Sequence, residues 1–563
     1  MTRFAKGGKA AAAGLIIALT AAACGGDSDS GDTETKAPDV PKGGTLKLLS
    51  VSDFEHLDPQ RAYVSNALNA GRLIYRTLTT FKSASGAEGN EIVGDLAKDT
   101  GEPSEGGKVW KFTLKDGLKY EDGTAIVAAD IKYGVERSFS DLLPEGPQYA
   151  KQYLEGGDKF DGPYKTPAGL ASIEVPDEKT IIFKLKQPVG DFNYTVTLPT
   201  FSPVPKGKDT KTQYDNKPFS SGPYKIETYE RQKKLTLIRN ESWDPKTDSV
   251  RKAGPDRIEF TFGLDPAQID QRLINDSDPN AAYIDAGGIQ GASVVQAIKP
   301  TVDGRRVEGT TQALRYIAMD INSAPFDNPK IREAIQFAVN RETLQTARGG
   351  TRAGGELIYQ TLIPGLPGRK EFKAFDVPST GDVAKAKAAL AEAGKPDGFT
   401  TQLYSTNVGK GKAVAEAFQD AMAKVGIKVN LKLVDPAVYY TEIGKSKTQN
   451  ALVVAGWGPD WPNASTVIPP LFDGRQIKTE GNQNFCELND DAINKRMDDA
   501  LAETDLGKQG EIWAELDETI SKTGCIIPFT VDKSVFVAGS KVKNLFIHPF
   551  YGEPDAVALA VES

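Results

Sequence analysis

Two tryptophans flank a single aspartate in the stretch AGWGPDWPN, which covers residues 455–463. The chain has only five tryptophans, so two of them are concentrated around one carboxylate. Trp457 and Trp461 offer flat apolar walls with one N–H each, and Asp460 can receive a cation. Gly458 lets a ligand approach the backbone closely, and two prolines stiffen the loop. These residues predict a rigid socket for a cationic group; the alternative is a loop plug with the indoles packed inward and the aspartate capping a turn.

The sequence has few of the residues that metal binding or catalysis by histidine or cysteine would require. The chain of 563 residues contains two histidines and three cysteines. These numbers exclude a His-rich metal site and a Cys-type zinc site, which takes about four ligands. His56 and His548 both lie beside prolines and are expected to be turn residues rather than catalytic bases. The sequence contains no motif for paired catalytic carboxylates or for an activated nucleophile. We therefore do not expect an enzyme, a metal site or a cofactor, and a secreted hydrolase is the disfavoured alternative.

The elements that must position the tryptophan motif are predicted by hydrophobic periodicity. Residues 451–457 are apolar throughout, as in a strand that is buried on both faces of a parallel sheet. Residues 400–405 and 427–434 predict two further strands, and residues 412–426 between them have apolar side chains at helical spacing. This order implies a parallel pair with a right-handed crossover. Because ligands of open α/β sheets bind beyond the carboxyl ends of strands, the motif lies where a ligand is expected.

Two more helices and an antiparallel region complete the predicted elements. Residues 327–344 predict a helix with Asn328 as its N-cap and Pro329 in its first turn. A further helix is predicted to end at Gly394. Residues 109–126 alternate over short runs that two Asp-Gly dipeptides interrupt, which is typical of antiparallel strands joined by tight turns.

The N-terminus has the pattern of an export signal. Residues 1–9 are basic, and residues 10–23 form an apolar run that is shorter than the roughly 20 residues needed to span a bilayer. Small residues directly before Cys24 resemble the bacterial lipobox, in which the cysteine is diacylated, although Ala21 stands where that motif usually has leucine. The alternative is cleavage near Ala23, which would leave Cys24 as a spare thiol.

The rest of the chain is expected to be a folded body held at a membrane. Residues 1–23 are predicted to be the signal peptide, and residues 24–42, which are polar and acidic, a lipidated cysteine with a flexible tether. The body would then lie on the outer face of the plasma membrane, where Cys486 and Cys525 are expected to form a disulfide rather than two free thiols. The net charge is −8 and no basic stripe with interleaved aromatics occurs, so nucleic acid is not an expected partner.

Several segments together resemble the extracellular solute-binding proteins of peptide-type ABC importers, the oligopeptide- and dipeptide-binding family 5. They occur in family order over most of the chain and comprise residues 56–60, 109–139, 221–226, 319–344, 391–399 and 457–462. The resemblance implies an α/β, two-lobed, periplasmic-binding-protein-like fold that closes about a hinge and has an extra subdomain in lobe one. The implied boundaries are lobe one at 43–312 with the subdomain at about 65–200, lobe two at 313–532, a C-terminal return to lobe one at 533–563, and hinge crossings near 316–322 and 529–536.

The resemblance also implies roles for the tryptophan motif. In peptide-binding members the aspartate of a W-x-x-D motif pairs with the α-ammonium group of the ligand; here that residue is Asp460, and Trp457 matches the tryptophan. The family usually has tyrosine where this chain has Trp461. Several members place an arginine three residues before the first tryptophan, where this chain has Val454, which permits longer peptides or a cationic solute without a nearby carboxylate. Tyr63 is the candidate for the opposing wall.

The function implied by the resemblance is capture of a solute and its delivery to an ABC transporter permease by lobe closure. Oligopeptides are the expected solute, and the protein is expected to be a monomer without enzymatic activity. The alternative in the same fold is a receptor for an oligosaccharide, a cationic small molecule or a metal chelate.

Overall fold

The computed structural model describes residues 40–285, 287–446, 452–503 and 505–562. The predicted signal peptide, Cys24 and the predicted tether up to residue 39 lie outside the described residues.

The strands are numbered in chain order. They are β1 (Thr45–Leu49), β2 (Thr79–Phe81), β3 (Ile92–Gly94), β4 (Glu102–Ser104), β5 (Val109–Thr113), β6 (Ile173–Asp177), β7 (Thr180–Lys184), β8 (Tyr224–Glu230), β9 (Lys234–Arg239), β10 (Arg257–Thr261), β11 (Ala281–Tyr283), β12 (Arg306–Met319), β13 (Glu356–Leu357), β14 (Thr400–Thr406), β15 (Lys428–Val434), β16 (Leu452–Trp457), β17 (Ile526–Val537), β18 (Val542–Lys543) and β19 (Ala560–Val561).

The α-helices follow the same numbering. They are α1 (Ser65–Gly71), α2 (Ala128–Arg137), α3 (Tyr149–Tyr153), α4 (Phe192–Thr195), α5 (Pro266–Ile274), α6 (Ser293–Ala297), α7 (Pro329–Ala338), α8 (Arg341–Ala347), α9 (Gly350–Ala353), α10 (Val383–Glu392), α11 (Gly409–Ala423), α12 (Tyr439–Ile443), α13 (Ile468–Phe472), α14 (Asp491–Ala502) and α15 (Leu506–Lys522). Within the described ranges, none of these helices has the length and apolarity needed to cross a membrane.

Two larger sheets organise the chain. A five-stranded sheet has the order β11-β1-β10-β9-β8, and a six-stranded sheet has the order β13-β17-β12-β16-β14-β15. A four-stranded antiparallel sheet, β4-β5-β7-β6, packs with α2 around the buried side chains of Trp110, Phe112 and Phe183. We call the part around the five- and four-stranded sheets the first lobe, and the part around the six-stranded sheet the second lobe.

The second lobe contains the predicted strand–helix–strand unit. β14 pairs with β15 in parallel across α11, which confirms that prediction. β16 is buried on both faces as predicted: Val453 and Ala455 face one apolar cluster, and Leu452 and Val454 face another. Its expected setting in a parallel sheet is only partly right, because β16 is parallel to β14 but antiparallel to β12. A fully buried strand has the same apolar sequence in either orientation, so composition alone does not decide this point.

The helix predicted over residues 327–344 begins as expected but is divided in two. The Asn328 side chain accepts a hydrogen bond from the backbone of Lys330, so the predicted cap is confirmed. The first helix ends at Ala338, and Val339 is extended. Asn340 then accepts a hydrogen bond from the backbone of Thr343 and starts α8. A second capping side chain inside an apolar pattern therefore ends one helix and begins another.

The antiparallel region and the helix end predicted at Gly394 are also confirmed. β5 pairs antiparallel with β4 and β7. Gly117 and Gly123 of the two Asp-Gly turns have φ values of 75° and 85°, a region that glycine enters at little cost. Gly394 has a φ of 76° shortly after the end of α10.

Two long strands join the lobes. β12 and β17 pair antiparallel from Arg306 opposite Val537 to Ala318 opposite Ile526. The pairing is irregular between Thr310 and Leu314, beside the predicted boundary at residue 312. The proposed limits of the lobes stay a prediction, as do the hinge crossings. The limits at 312 and 532 and the crossing near 529–536 fall within these two strands, whereas the crossing near 316–322 extends past the end of β12 at Met319.

Candidate functional site

A cavity of about 160 Å³ is lined by residues of both lobes. The first lobe contributes side chains from residues 55–68, Glu145 and the C-terminal aromatics Phe550 and Tyr551. The second lobe contributes Tyr440 and residues 456–460. The cavity thus lies at the carboxyl end of β16, where the strand pattern predicts a ligand.

Asp460 is buried at the wall of this cavity, with 5% of its surface exposed. Its Oδ2 accepts hydrogen bonds from the hydroxyl of Tyr63 at 2.7 Å and from the hydroxyl of Tyr149 at 2.6 Å. Burial raises the pKa of the carboxyl to about 7, and the two tyrosine hydrogen bonds oppose that rise. A cationic group at this position would favour the charged carboxylate, whose hydrogen-bond donors among the described residues are the neutral hydroxyls of Tyr63 and Tyr149.

Trp457 and Gly458 also line the cavity. The indole N–H of Trp457 donates to the carbonyl oxygen of Thr466 at 2.7 Å, so this polar group is used within the loop. The ring is edge-to-face with Tyr63, with centroids 5.6 Å apart, and serves as an apolar wall. A Cβ on Gly458 would have only the carbonyl of Gln312 nearby, at 4.0 Å, so the backbone is open to close approach.

Trp461 lies outside the cavity. It is 2% exposed and packs in the apolar cluster of the four-stranded sheet, with its ring centroid 4.9 Å from that of Tyr149. Its indole N–H donates to Asp191 Oδ2 at 2.5 Å. The structure therefore brings Asp460, Trp457, Gly458 and Tyr63 together but sends the second indole into the first lobe. For this indole the inward-packed alternative describes the geometry.

A group of charged side chains at the cavity was missed by sequence analysis. Arg61 donates from Nε and Nη2 to the two carboxylate oxygens of Glu145, both at 2.9 Å. His56 Nδ1 lies 2.8 Å from Asp215 Oδ2, and Arg61 Nη1 lies 3.3 Å from the same oxygen. These residues are far apart in the sequence, and no spacing pattern predicts that they lie together. Within the described ranges, no three His, Cys, Asp or Glu side chains are grouped to hold a metal ion.

A second missed contact joins the lobes across the cavity. Glu55 Oε1 accepts a hydrogen bond from the backbone of Thr441 at 2.7 Å and another from its hydroxyl. Burial raises the pKa of Glu55 above its usual range, while these two donors oppose the rise. Tyr149 and Thr441 likewise carry no local sequence signal, because their roles depend only on partners far away in the chain.

Arg315 is a further cavity residue that sequence analysis missed. It lies on β12 opposite Gly456 of β16. Its Nε donates to Asp532 Oδ2 at 2.6 Å, and Arg348 Nη2 donates to Asp532 Oδ1 at 2.6 Å. Val454, which stands where several family members have an arginine, is buried in an apolar cluster of the second lobe.

Cys486 and Cys525 are joined by a disulfide in the second lobe. The carbonyl of Cys525 accepts a hydrogen bond from the backbone of Met319 at 2.9 Å, and that of Cys486 from the backbone of Ile321 at 3.1 Å. The bridge therefore ties two segments to the same end of β12.

Comparison with known proteins identifies the family. The family model described as bacterial extracellular solute-binding proteins, family 5 Middle, matches residues 91–479. The chain is 26% identical to the glutathione-binding protein GsiB of Salmonella typhi, over 89% of this chain and 91% of the relative. It is 36% identical to the solved structure of clavulanic acid biosynthesis oligopeptide binding protein 2, with a TM-score of 0.83 over 93% of this chain and 97% of the other. Haemophilus influenzae OppA, solved with the peptide RPPGFSPFR, has 18% identity and a TM-score of 0.79 over 93% and 100% of the two chains.

The chain therefore belongs to the bacterial extracellular solute-binding proteins, family 5. Members of this family are solute-binding proteins of ABC importers rather than enzymes, and they deliver a captured solute to the transporter. The similarity to solved two-lobed binding proteins confirms the predicted α/β fold class.

Proposed function

We propose that this protein captures oligopeptides at the cell surface and delivers them to an ABC permease. The observation that carries the proposal is the buried carboxyl of Asp460 at the cavity wall, with hydroxyl donors from Tyr63 and Tyr149 on one of its oxygens. The names of two similar proteins, a glutathione-binding protein and an oligopeptide-binding protein, support a peptide as the solute.

The α-ammonium group of a peptide supplies what the Asp460 site lacks. A hydrogen bond between charged partners contributes about 1.5–3 kcal/mol, and exclusion of water strengthens it. An ammonium group at the carboxyl would also offset the cost of holding a buried negative charge, which is the cost that raises the pKa of Asp460. Trp457 then provides an apolar wall beside the charged group.

Lobe closure would follow from contacts that the peptide makes with both lobes. The lobes already contact each other through Tyr63 with Asp460, through Glu55 with Thr441, and through Lys478 Nζ, which donates to the carbonyl of Pro144 at 2.9 Å. A solute that touches both walls of the cavity binds the closed arrangement better than the open one and shifts the population toward it.

The test is thermal unfolding of the purified protein with peptides of two to eight residues, the same peptides N-acetylated, and oligosaccharides. A ligand that binds only the folded state raises the apparent stability. We expect free-amine peptides to raise the melting temperature and acetylated ones to raise it much less. Asp460→Asn should abolish this difference, and Asp158→Asn, a change at an exposed carboxylate, should preserve it. Stabilisation by oligosaccharides alone would assign the protein to a non-peptide solute.

We also propose that Cys24 carries a lipid anchor and that the protein is a monomer on the outer face of the plasma membrane. The support is the sequence pattern of residues 1–24. Metabolic labelling with a radioactive fatty acid should mark the wild-type protein in the membrane fraction, and Cys24→Ser should release unlabelled protein into the medium. Equal labelling of the two proteins would contradict the anchor, and light scattering of the purified protein tests the monomer.

A further inference from the structure

Gly456 has no side chain, and this leaves room for the guanidinium group of Arg315 at the wall of the cavity. The two residues face each other in the antiparallel pair of β12 and β16, and both line the cavity. A Cβ placed on Gly456 would lie 2.2 Å from Arg315 Nη1. Glycine at this position therefore allows the guanidinium group to lie across β16, close to the backbone.

The carboxylate that holds Arg315 is shared with a second arginine. Asp532 receives Arg315 Nε on Oδ2 and Arg348 Nη2 on Oδ1, each at 2.6 Å. A third cation, Lys410, is buried nearby and donates to the carbonyl of Ala353 at 2.6 Å. Burial, with the positive charge of Arg348, lowers the pKa of Lys410 to about 7. One carboxylate therefore faces more than one positive charge, and an anion placed beside Arg315 would be attracted.

The other acidic groups that line the cavity are engaged elsewhere. Glu55 accepts hydrogen bonds from Thr441, Glu145 binds Arg61 at both oxygens, and Asp460 accepts from two tyrosine hydroxyls. The hydroxyl of Tyr440 also interacts with Arg315, but it carries no charge. None of the described residues that line the cavity therefore gives the guanidinium group an anionic partner, and Asp532, which pairs with Arg315, is not part of the lining.

We propose that Arg315 is a ligand-binding residue that receives a carboxylate group of the solute. The planar guanidinium matches a carboxylate with two parallel hydrogen bonds, which a lysine in the same place would not reproduce. The inference rests on the proposed function, in which Asp460 binds an ammonium group. Together the two residues select a solute that carries a positive and a negative group, both within reach of a cavity of about 160 Å³.

The test separates the two charged contacts with a matched set of ligands. Each peptide is prepared with a free or acetylated amine and with a free or amidated carboxyl group, and titration calorimetry gives the affinities. We expect the free acid to bind wild-type protein about tenfold or more tightly than the amide. Arg315→Met should remove this preference by weakening the binding of the free acid to about that of the amide. Gly456→Ala should act in the same direction, because the added methyl group displaces the guanidinium group.

The two proposals fail in different arms of the experiment. Equal affinities for acid and amide in wild-type protein would overturn the role of Arg315 and leave the amine contact intact. If the free acid binds more tightly than the amide but acetylation of the amine does not change the affinity, the role of Asp460 is overturned and that of Arg315 stands.

A comparison of melting temperatures tests the role of Arg315 even if no peptide binds. Should Arg315 serve only as a counter-ion to Asp532, Arg315→Met would lower the melting temperature as much as Arg348→Met does. Either variant leaves one arginine paired with Asp532, but we expect a clearly smaller loss for Arg315→Met, because Arg315 is the more exposed of the two arginines. Equal losses would overturn the proposal.

Discussion

The hydroxyl of Tyr63 donates a hydrogen bond of 2.7 Å to the carboxyl of Asp460, although 397 positions separate the two residues in the chain. Tyr63 belongs to the first lobe and Asp460 to the second, so this contact exists only while the lobes are together. The carboxyl that is proposed to bind a solute thus also forms a hydrogen bond between the two lobes.

Removal of the Tyr63 hydroxyl should shift the protein toward an open arrangement. Tyr63→Phe keeps the ring contact with Trp457 but deletes one of the two hydroxyl donors to Asp460. Loss of a hydrogen bond to a buried acceptor costs about 1–3 kcal/mol. Small-angle X-ray scattering without added peptide should therefore give a larger radius of gyration than for wild type. Tyr133→Phe is the control, because its partner Asp209 lies in the same lobe; an equal change in both variants would contradict the prediction.

Asp460 should make the stability of the protein fall as the pH rises toward neutrality. Its pKa is raised to about 7 in the folded protein, against roughly 3.9 in an unfolded chain. Between these values the folded protein holds the proton and the unfolded chain has lost it, so the free energy of unfolding decreases with rising pH and levels off above about 7. The effect is on the order of 3–4 kcal/mol.

The variant Asp460→Asn removes this titration. We expect its melting temperature to exceed that of wild type more at pH 8 than at pH 5. Asp270 and Asp285, whose pKa values burial raises to about 6, titrate in both proteins and cancel in the difference. Melting curves that shift in parallel at the two pH values would show that the carboxyl is charged throughout this range.

Trp461 should matter for closure more than for folding. Its indole ring packs against Tyr149 and hydrogen-bonds Asp191, both in the first lobe, while its own backbone belongs to the second. Truncation of a buried tryptophan to alanine costs about 3–5 kcal/mol, and here the cost falls on the contact between the lobes. Trp461→Ala is expected to weaken peptide binding about tenfold or more.

The control is Trp513→Ala, which removes a buried indole within the core of the second lobe. That variant should lower the melting temperature more than Trp461→Ala does. A greater loss of melting temperature in Trp461→Ala would place the tryptophan in the folding core and contradict a role in closure.

The disulfide should stabilise the second lobe. Cys486 and Cys525 are 39 positions apart, and the chain-entropy model gives about 4 kcal/mol for closing a loop of this length. The double variant Cys486→Ser, Cys525→Ser is expected to melt at a lower temperature than wild type, and reductant should destabilise only the wild type. Mass spectrometry after alkylation should show two additional labels once the wild-type protein is reduced; full labelling without reductant would contradict the bridge.

Elements with local sequence signals were predictable before the structure was known. The apolar run of β16, the helical spacing of α11, the capping side chain of Asn328 and the two Asp-Gly turns are all found where the pattern predicts them. These signals are reliable because each depends on burial or hydrogen bonding within a few residues. The motif order along the chain also indicated the family, and with it the position of Asp460.

The assembly of the site depends on contacts between distant parts of the chain and was not predictable from local signals. The two indoles of one motif look equivalent in sequence, yet Trp457 lines the cavity and Trp461 enters the other lobe, where its partner Asp191 lies 270 positions away. Arg315 reaches the cavity because a neighbouring strand places Gly456 opposite it. Periodicity shows which face of an element is buried, but it does not show which distant side chain meets that face. The binding surface therefore depends on strand pairing and lobe contact, whose partners are far apart in sequence.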